Sequence, residues 1–305
     1  MPAWRRLLLF ARLSRPLFLI GGALLYGLGA AIARYNGHTV QLQLLLLGQG
    51  VVTALQLMTH YLNEYEDAET DADNPNRTWL TGGSGVLGAN GLPRRTALNA
   101  GLVSLAVAAV LASLLALEGV RGAGSWLTLV LIFLGAYFYS APPLRLARSG
   151  YGEVTTSLVV AGLVPAFAES LQSGSVSWLL VLSTAPLAAL HFAMVLAFET
   201  PDYATDARLG KRTLMVRLGW RTAMRLHDAA IGFAVAAVLF AGLNGLPQSV
   251  MAGSIIAFPL AAAQVWQMHR LRQGFRPQWR SLTAGGMALF ALAAYLELVG
   301  YLLAG

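Results

Sequence analysis

Nine of the fourteen acidic residues lie in two short stretches, Asn63-Glu64-Tyr65-Glu66-Asp67-Ala68-Glu69-Thr70-Asp71-Ala72-Asp73 and Glu199-Thr200-Pro201-Asp202-Tyr203-Ala204-Thr205-Asp206, each at the end of a long apolar run. Asn63, Asp67 and Asp71 are spaced i, i+4, i+8, and Asp202 and Asp206 are spaced i, i+4, so on a helix each set projects from one face. Like charges at this spacing destabilise a helix by a few tenths of a kcal/mol, and a bare charge near hydrocarbon costs more. A bound cation reverses the sign of that penalty. All-oxygen ligands suit a hard cation, and Mg²⁺ takes one or two carboxylates while leaving sites for water and substrate phosphates. Two such clusters facing each other are suited to gripping a diphosphate through bridging Mg²⁺ ions. The plainer alternative, two solvated acidic loops, leaves the repeat of four unexplained.

A diphosphate also calls for fixed cations. Arg77 follows the first stretch, Lys211 and Arg212 follow the second within Arg208-Leu209-Gly210-Lys211-Arg212-Thr213-Leu214, and Arg145 sits in Ser140-Ala141-Pro142-Pro143-Leu144-Arg145. Each is either a donor of charge-assisted hydrogen bonds to phosphate oxygens or an anchor that snorkels to the membrane surface. Lys211 is the strongest candidate, five residues beyond Asp206 at a turn that Gly210 permits. The run Gly82-Gly83-Ser84-Gly85 is either a set of backbone N–H donors for phosphate or a flexible loop.

The elements that position these residues are membrane helices. The 305-residue chain is 56% hydrophobic and 11% charged, with a mean hydropathy of +0.60, outside the balance of a soluble domain. A spanning helix needs about 20 predominantly apolar residues. That criterion gives nine candidates, centred near Tyr26, Val52, Val107, Ile132, Leu163, Leu187, Val235, Phe258 and Ala293. Unbroken Leu/Ala/Val runs exclude a barrel, whose strands alternate over about 10 residues. The expected fold is therefore all-α, one polytopic domain over 1–305. The four-span offset between the two acidic stretches suggests two four-helix halves, about 15–140 and 153–268, plus a final helix at about 283–303, bringing the acidic sites together across a central cavity.

With nine spans, 19 of the 21 Lys and Arg residues fall on the side of the N-terminus, leaving Arg34 and Arg121 for the other. The positive-inside rule then places the N-terminus and both acidic stretches in the cytoplasm. The net charge of +7 reads as a bias towards anionic lipid, with no nucleic-acid partner implied. The apolar segment from Pro16 is expected to remain as the first helix, since it lacks a small-residue cleavage pattern. The absence of cysteine excludes disulfides, thiolate nucleophiles and cysteine-ligated metals. Long charged loops at 63–96 and 199–222 lie on the expected cytoplasmic face, where function is usually carried.

Asn63-Glu64-x-x-Asp67-x-x-x-Asp71 resembles the first aspartate-rich motif of the UbiA superfamily of membrane-embedded prenyltransferases. Asp202-x-x-x-Asp206 followed by Gly210-Lys211-Arg212-Thr213-Leu214 resembles the second. The segment Tyr139-Ser140-Ala141-Pro142-Pro143-Leu144-Arg145, with Gly150-Tyr151-Gly152-Glu153, is similar to the stretch joining the fourth and fifth helices in that superfamily. The resemblance implies a bundle around a cavity open to the cytoplasmic face and laterally to lipid, transferring a prenyl group from a prenyl diphosphate. It implies that Asn63, Asp67, Asp71, Asp202 and Asp206 carry Mg²⁺ and that Lys211 and Arg145 hold phosphates. Ionisation would leave an allylic cation, kept from water by apolar walls, with Tyr139 or Tyr65 offering a π face to it.

Two positions depart from the superfamily pattern. Glu64 stands where aspartate is usual; it keeps the charge with a longer reach, and is carried over as a metal ligand. Glu199-Thr200-Pro201 replaces the usual Asn and Arg before the second pair, and Pro201 must perturb the helix there. The branch most similar in appearance prenylates 1,4-dihydroxy-2-naphthoate in menaquinone synthesis. Relatives acting on 4-hydroxybenzoate, homogentisate or a lipid share the diphosphate machinery, so an aromatic or a lipid acceptor fits. The implied setting is a prokaryotic cytoplasmic (inner) membrane. A transporter or cation-binding membrane protein is the competing class, for which midplane charges would be the signature; only Glu169 and Glu297 approach that. Of the histidines, His60 lies one turn before Asn63, His191 suits an interhelical hydrogen bond, and His38, His227 and His269 read as interfacial.

Overall fold

Nine helices among the described residues are long and apolar enough to cross a membrane, and each contains one of the centres expected from the sequence. The computed structural model describes residues 2–120 and 122–304; Arg121, assigned above to the outer side, falls outside them. The helices are α1 (Ala3–Leu13), α2 (Pro16–Tyr35), α3 (Leu42–Ala72), α4 (Arg94–Leu117), α5 (Ala123–Ser140), α6 (Gly152–Leu158), α7 (Val164–Ser173), α8 (Trp178–Glu199), α9 (Tyr203–Arg208), α10 (Leu214–Leu218), α11 (Trp220–Leu243), α12 (Gln248–Ile256), α13 (Phe258–Arg272) and α14 (Trp279–Ala304). A π-helical turn, Val159–Leu163, joins α6 to α7 into one span. It ends two residues before Pro165, whose missing N–H cannot continue an α-helical ladder. Proline likewise breaks α12 from α13, with Pro259 in the first turn of α13.

Helix lengths explain where the polar residues fall. At about 1.5 Å per residue, the 31 residues of α3 outrun the roughly 30 Å hydrocarbon core, and the excess carries Asn63, Asp67 and Asp71. Helix α8 starts at Ser177, whose side chain accepts a hydrogen bond from Leu180 N. It ends at Glu199, ahead of Pro201, and the chain re-enters a helix only at Tyr203. The expected perturbation at Pro201 is thus a break that places Asp202 at the start of α9.

Six spans form a ring: α2 packs on α3, α3 on α5, α5 on the α6–α7 span, that span on α8, α8 on α14, and α14 back on α2. Helix α4 lies outside against α3, while α11 packs on α8 and the α12–α13 span on α11 and α14. The apolar core is the set of inward faces of these helices, including Leu28, Met58, Phe167, Leu187 and Leu196. Exposed Leu, Val and Phe side chains on the outer helices, such as Leu102, Val110 and Phe240, suit a surface in contact with lipid.

Candidate active site

The ring encloses a cavity of about 370 Å³ with two chemically different regions. One region is lined by Asn63, Asp67, Asp71, Asp202, Asp206 and Lys211; the rest is largely apolar, from Leu24, Val52 and Leu55 to Ile132, Val160 and Met287. Both acidic sets therefore reach one space, although 128 residues separate the hydrogen-bonded pair Asn74 and Asp202.

Asp67 is the hub. Its side chain is 4% exposed, and Oδ2 accepts hydrogen bonds from Lys211 Nζ at 3.0 Å and Asn63 Nδ2 at 3.0 Å. Arg148 Nε lies 3.7 Å from its Oδ1. Lys211 reaches Asp67 because Gly210 takes a positive φ of 73° and Lys211 N donates to Asp206 O at 2.9 Å. Burial alone would lower the Lys211 pKa, but the carboxylates of Asp67, Asp206 and Asp71 outweigh it and hold the ammonium above its usual range. Burial raises Asp206 as well, with Lys211 opposing. Burial pushes Asp202 up to about 7, against the hydrogen bond that Asn74 Nδ2 donates to its Oδ1 at 2.6 Å. A further bond, Asn76 Nδ2 to Pro201 O at 3.3 Å, stitches the two acidic segments together.

Glu64 is placed otherwise than expected. It is buried, does not line the cavity, and accepts hydrogen bonds from Ser84 N and Ser84 Oγ, each at 2.7 Å, and from Arg15. One residue along the helix from Asn63 turns its side chain about 100° away, so it cannot share the face of Asn63, Asp67 and Asp71. Its carboxylate instead fastens the glycine loop, and Thr81, Gly82 and Gly83 consequently line the cavity. Gly83 has φ +76°, and a Cβ there would fall on the Asp71 carboxylate. This glycine run is an anchored wall of the site.

Of the cations singled out in the sequence, Lys211 alone lines the cavity. Arg77 lies beside Gly82 and Gly85, is exposed, and does not line the cavity. Arg145 pairs with Glu66 at 3.5 Å and is half-exposed. Arg212 is exposed, its backbone N donating to Arg148 O at 3.2 Å. Sequence reasoning passed over Arg15, which lines the cavity, and Arg148. Arg148 lies three residues beyond Arg145, one short helical turn away, which was the available signal. Arg15 is separated from Glu64 by 49 residues, and no local pattern connects them.

Tyr139 lines the cavity, whereas Tyr65 lies under the Arg94 guanidinium, 4.4 Å from ring centroid to Cζ, and is not among the lining residues. Phe18, Phe198 and Phe290 supply the other aromatic faces. His60 lines the cavity, and His191 makes the expected interhelical contact, Nδ1 to Ser157 Oγ at 3.0 Å. His227 is fully buried rather than interfacial, 2.9 Å from Asp228, which pairs with Arg272; its turn of α11 faces the protein. Glu199 lines the cavity beside Glu153, whose Oε1 accepts from Leu214 N at 2.5 Å.

Among the described residues no three carboxylate or imidazole side chains close around one point. The donor set is thus oxygen-only and open, which fits a Mg²⁺ that takes one or two carboxylates and completes its shell with water and substrate phosphates. It does not fit a closed structural cage.

A protein-family model described as the UbiA prenyltransferase family matches residues 18–297. The 1,4-dihydroxy-2-naphthoate octaprenyltransferase of Mycobacterium tuberculosis is 28% identical over 219 residues, covering 71% of this chain and 71% of that protein. The protein of the same name from Bacillus subtilis is 25% identical over 237 residues, covering 76% and 72%. A UbiA homolog from Archaeoglobus fulgidus superposes with a TM-score of 0.66 at 16% identity over 97% of this chain and 98% of that one. A structure of a UbiA homolog from the same organism bound to GPP and Mg²⁺ has a TM-score of 0.60 at 16% identity, covering 95% and 99%. The solved structures share the ring of helices, and the match across nearly the whole chain settles its kinship: it belongs to the UbiA prenyltransferase family and is an integral membrane prenyltransferase.

Proposed function

We propose that the enzyme transfers a prenyl group from a prenyl diphosphate to an aromatic acceptor, 1,4-dihydroxy-2-naphthoate, with Mg²⁺ as the diphosphate's counter-ion and the polar end of the cavity facing the cytoplasm. The observation that carries the reading is the division of one cavity into a carboxylate and lysine end and an apolar body. A prenyl diphosphate has the same two parts. The names of the curated relatives support the acceptor.

Asn63, Asp67, Asp71, Asp202 and Asp206 would hold the Mg²⁺ ions. Bound there, Mg²⁺ supplies positive charge to the departing diphosphate. Lys211, held charged by its carboxylate neighbours, donates to a phosphate oxygen, and Arg148 and Arg15 add positive charge at the same end. The C1–O bond of the prenyl group breaks and its electron pair leaves with the diphosphate. The apolar walls exclude water from the resulting allylic cation, and the Tyr139 ring faces it. A ring carbon of the acceptor forms the new bond to C1 and gives up its proton or carboxyl substituent.

The test is pyrophosphate release by the purified protein with geranylgeranyl diphosphate and Mg²⁺, given the naphthoate, 4-hydroxybenzoate or no acceptor, with products resolved by mass. Prenylated naphthoate that disappears with EDTA is the expected result. Metal-dependent turnover of 4-hydroxybenzoate alone would replace the acceptor, and turnover unaffected by EDTA would remove Mg²⁺ from the reading.

A further inference from the structure

Helix α1 stands outside the bundle and has two apolar faces. At about 100° per residue, Leu9, Phe10 and Leu13 point one way, and they attach the helix to α3. Leu13 is fully buried, the Phe10 ring stacks on Tyr61 at 5.8 Å, and Ser14 Oγ lies 2.6 Å from Tyr61 OH. Trp4, Leu7, Leu8 and Ala11 share the other side, and Trp4, Leu7 and Leu8 are 64%, 71% and 62% exposed. Arg5 and Arg12 border this second face, Arg6 is also exposed, and no acidic residue occurs before Glu64. The helix ends beside the cavity: Arg15, in a left-handed conformation at φ 48°, pairs with Glu64 and lines the site.

We propose that α1 is an interfacial helix that docks on anionic phospholipid, and that this docking holds Arg15 at the cavity. Trp4, Leu7, Leu8 and Ala11 enter the boundary between headgroups and acyl chains, Arg5 and Arg12 at the border of that face bind lipid phosphates, and Arg6, on the side of Leu13 and Phe10, adds to the positive charge of the helix. Two observations select this occupant. Three arginines without an acidic neighbour complement an anionic surface and repel a second copy of the same helix. The helix also leads straight into a membrane-spanning helix, since α2 begins at Pro16, and the exposed Leu17 and Ile20 at its start lie at the mouth of the cavity.

The chain has no cysteine, so Leu8→Cys carries a unique environment-sensitive label on the full-length protein. It is reconstituted in vesicles of phosphatidylcholine alone or with about one-third phosphatidylglycerol. With the anionic lipid, the label is expected to be shielded from aqueous iodide and quenched by acyl-brominated lipid. Combined Arg5→Gln, Arg6→Gln and Arg12→Gln should abolish that shielding. Prenyl transfer should rise roughly threefold or more with phosphatidylglycerol, and the triple variant should keep its activity in phosphatidylcholine but lose the rise. A label open to iodide in anionic vesicles overturns the proposal, as does lipid-independent energy transfer between labelled copies, or a triple variant that behaves like the parent. The label readout is independent of the acceptor assignment, so a failure of that assignment is seen separately.

Discussion

Substitution of Glu64 distinguishes a strut from a metal ligand. Its side chain is 4% exposed and takes three charge-assisted hydrogen bonds, two from Ser84 at 2.7 Å and one from Arg15. Bonds of this kind contribute about 1.5–3 kcal/mol each. In Glu64→Gln the amide oxygen can keep the contacts of Oε1 with Ser84 N and Arg15 and the NH₂ can donate to Ser84 Oγ, but every bond loses the charge assistance of the carboxylate and Arg15 loses its buried counter-charge. A loss of about 2–4 kcal/mol follows, felt first in the 81–84 loop. If about 2 kcal/mol of it falls on loop closure, the KM for prenyl diphosphate rises about 30-fold. Ser84→Ala should raise it about 5- to 10-fold, and the double variant should be no worse than Glu64→Gln, because both act through one contact. The assay is steady-state kinetics with prenyl diphosphate and Mg²⁺ each varied. The half-saturating Mg²⁺ concentration should stay within about twofold of the parent, since Glu64 faces away from the cavity. A large rise in that concentration with Ser84→Ala silent would refute the reasoning and return Glu64 to the ligand set.

Asp67→Asn and Asp202→Asn should each lower prenyl transfer by roughly 100-fold or more under saturating Mg²⁺; rates within a few-fold of the parent would remove those groups from metal binding. With the Asp202 pKa near 7 in the metal-free protein, a proton must leave before metal binds. The half-saturating Mg²⁺ concentration should therefore fall as pH rises towards 7 and level off above it, a slope that Asp202→Asn makes shallower while Asp206, also raised by burial, keeps part of it. The same raised pKa makes its contribution to metal-free stability full below about pH 4 and lost as pH climbs through about 7, so the metal-free melting temperature should fall across that window. Gly83→Ala should abolish most activity while leaving helicity by circular dichroism unchanged, because its φ of +76° and the Asp71 carboxylate both oppose a Cβ; full activity would show that the loop adapts.

The sequence alone determined the features set by local chemistry. Apolar run length placed all nine spans, since lipid leaves a helix little choice but to satisfy its own backbone. The i, i+4 spacing put Asn63, Asp67 and Asp71 on one face, because α3 runs unbroken to Ala72. Pro201 had to end α8, and Gly210 had to let Lys211 turn back, both for reasons contained in single residues. What depended on distant partners was decided only by tertiary structure. Glu64 differs from its neighbour Asn63 by one helical step, yet it faces Arg15 and Ser84 instead of the cavity, and nothing local specifies those partners. Arg77, Arg145 and Arg212 carry the same charge as Arg15 and Arg148, but loop geometry turns the first three outward and Arg15 and Arg148 towards the carboxylates. Composition registers a guanidinium and spacing registers its neighbours in the chain; which carboxylate it meets is fixed when helices that are far apart in sequence pack into one ring.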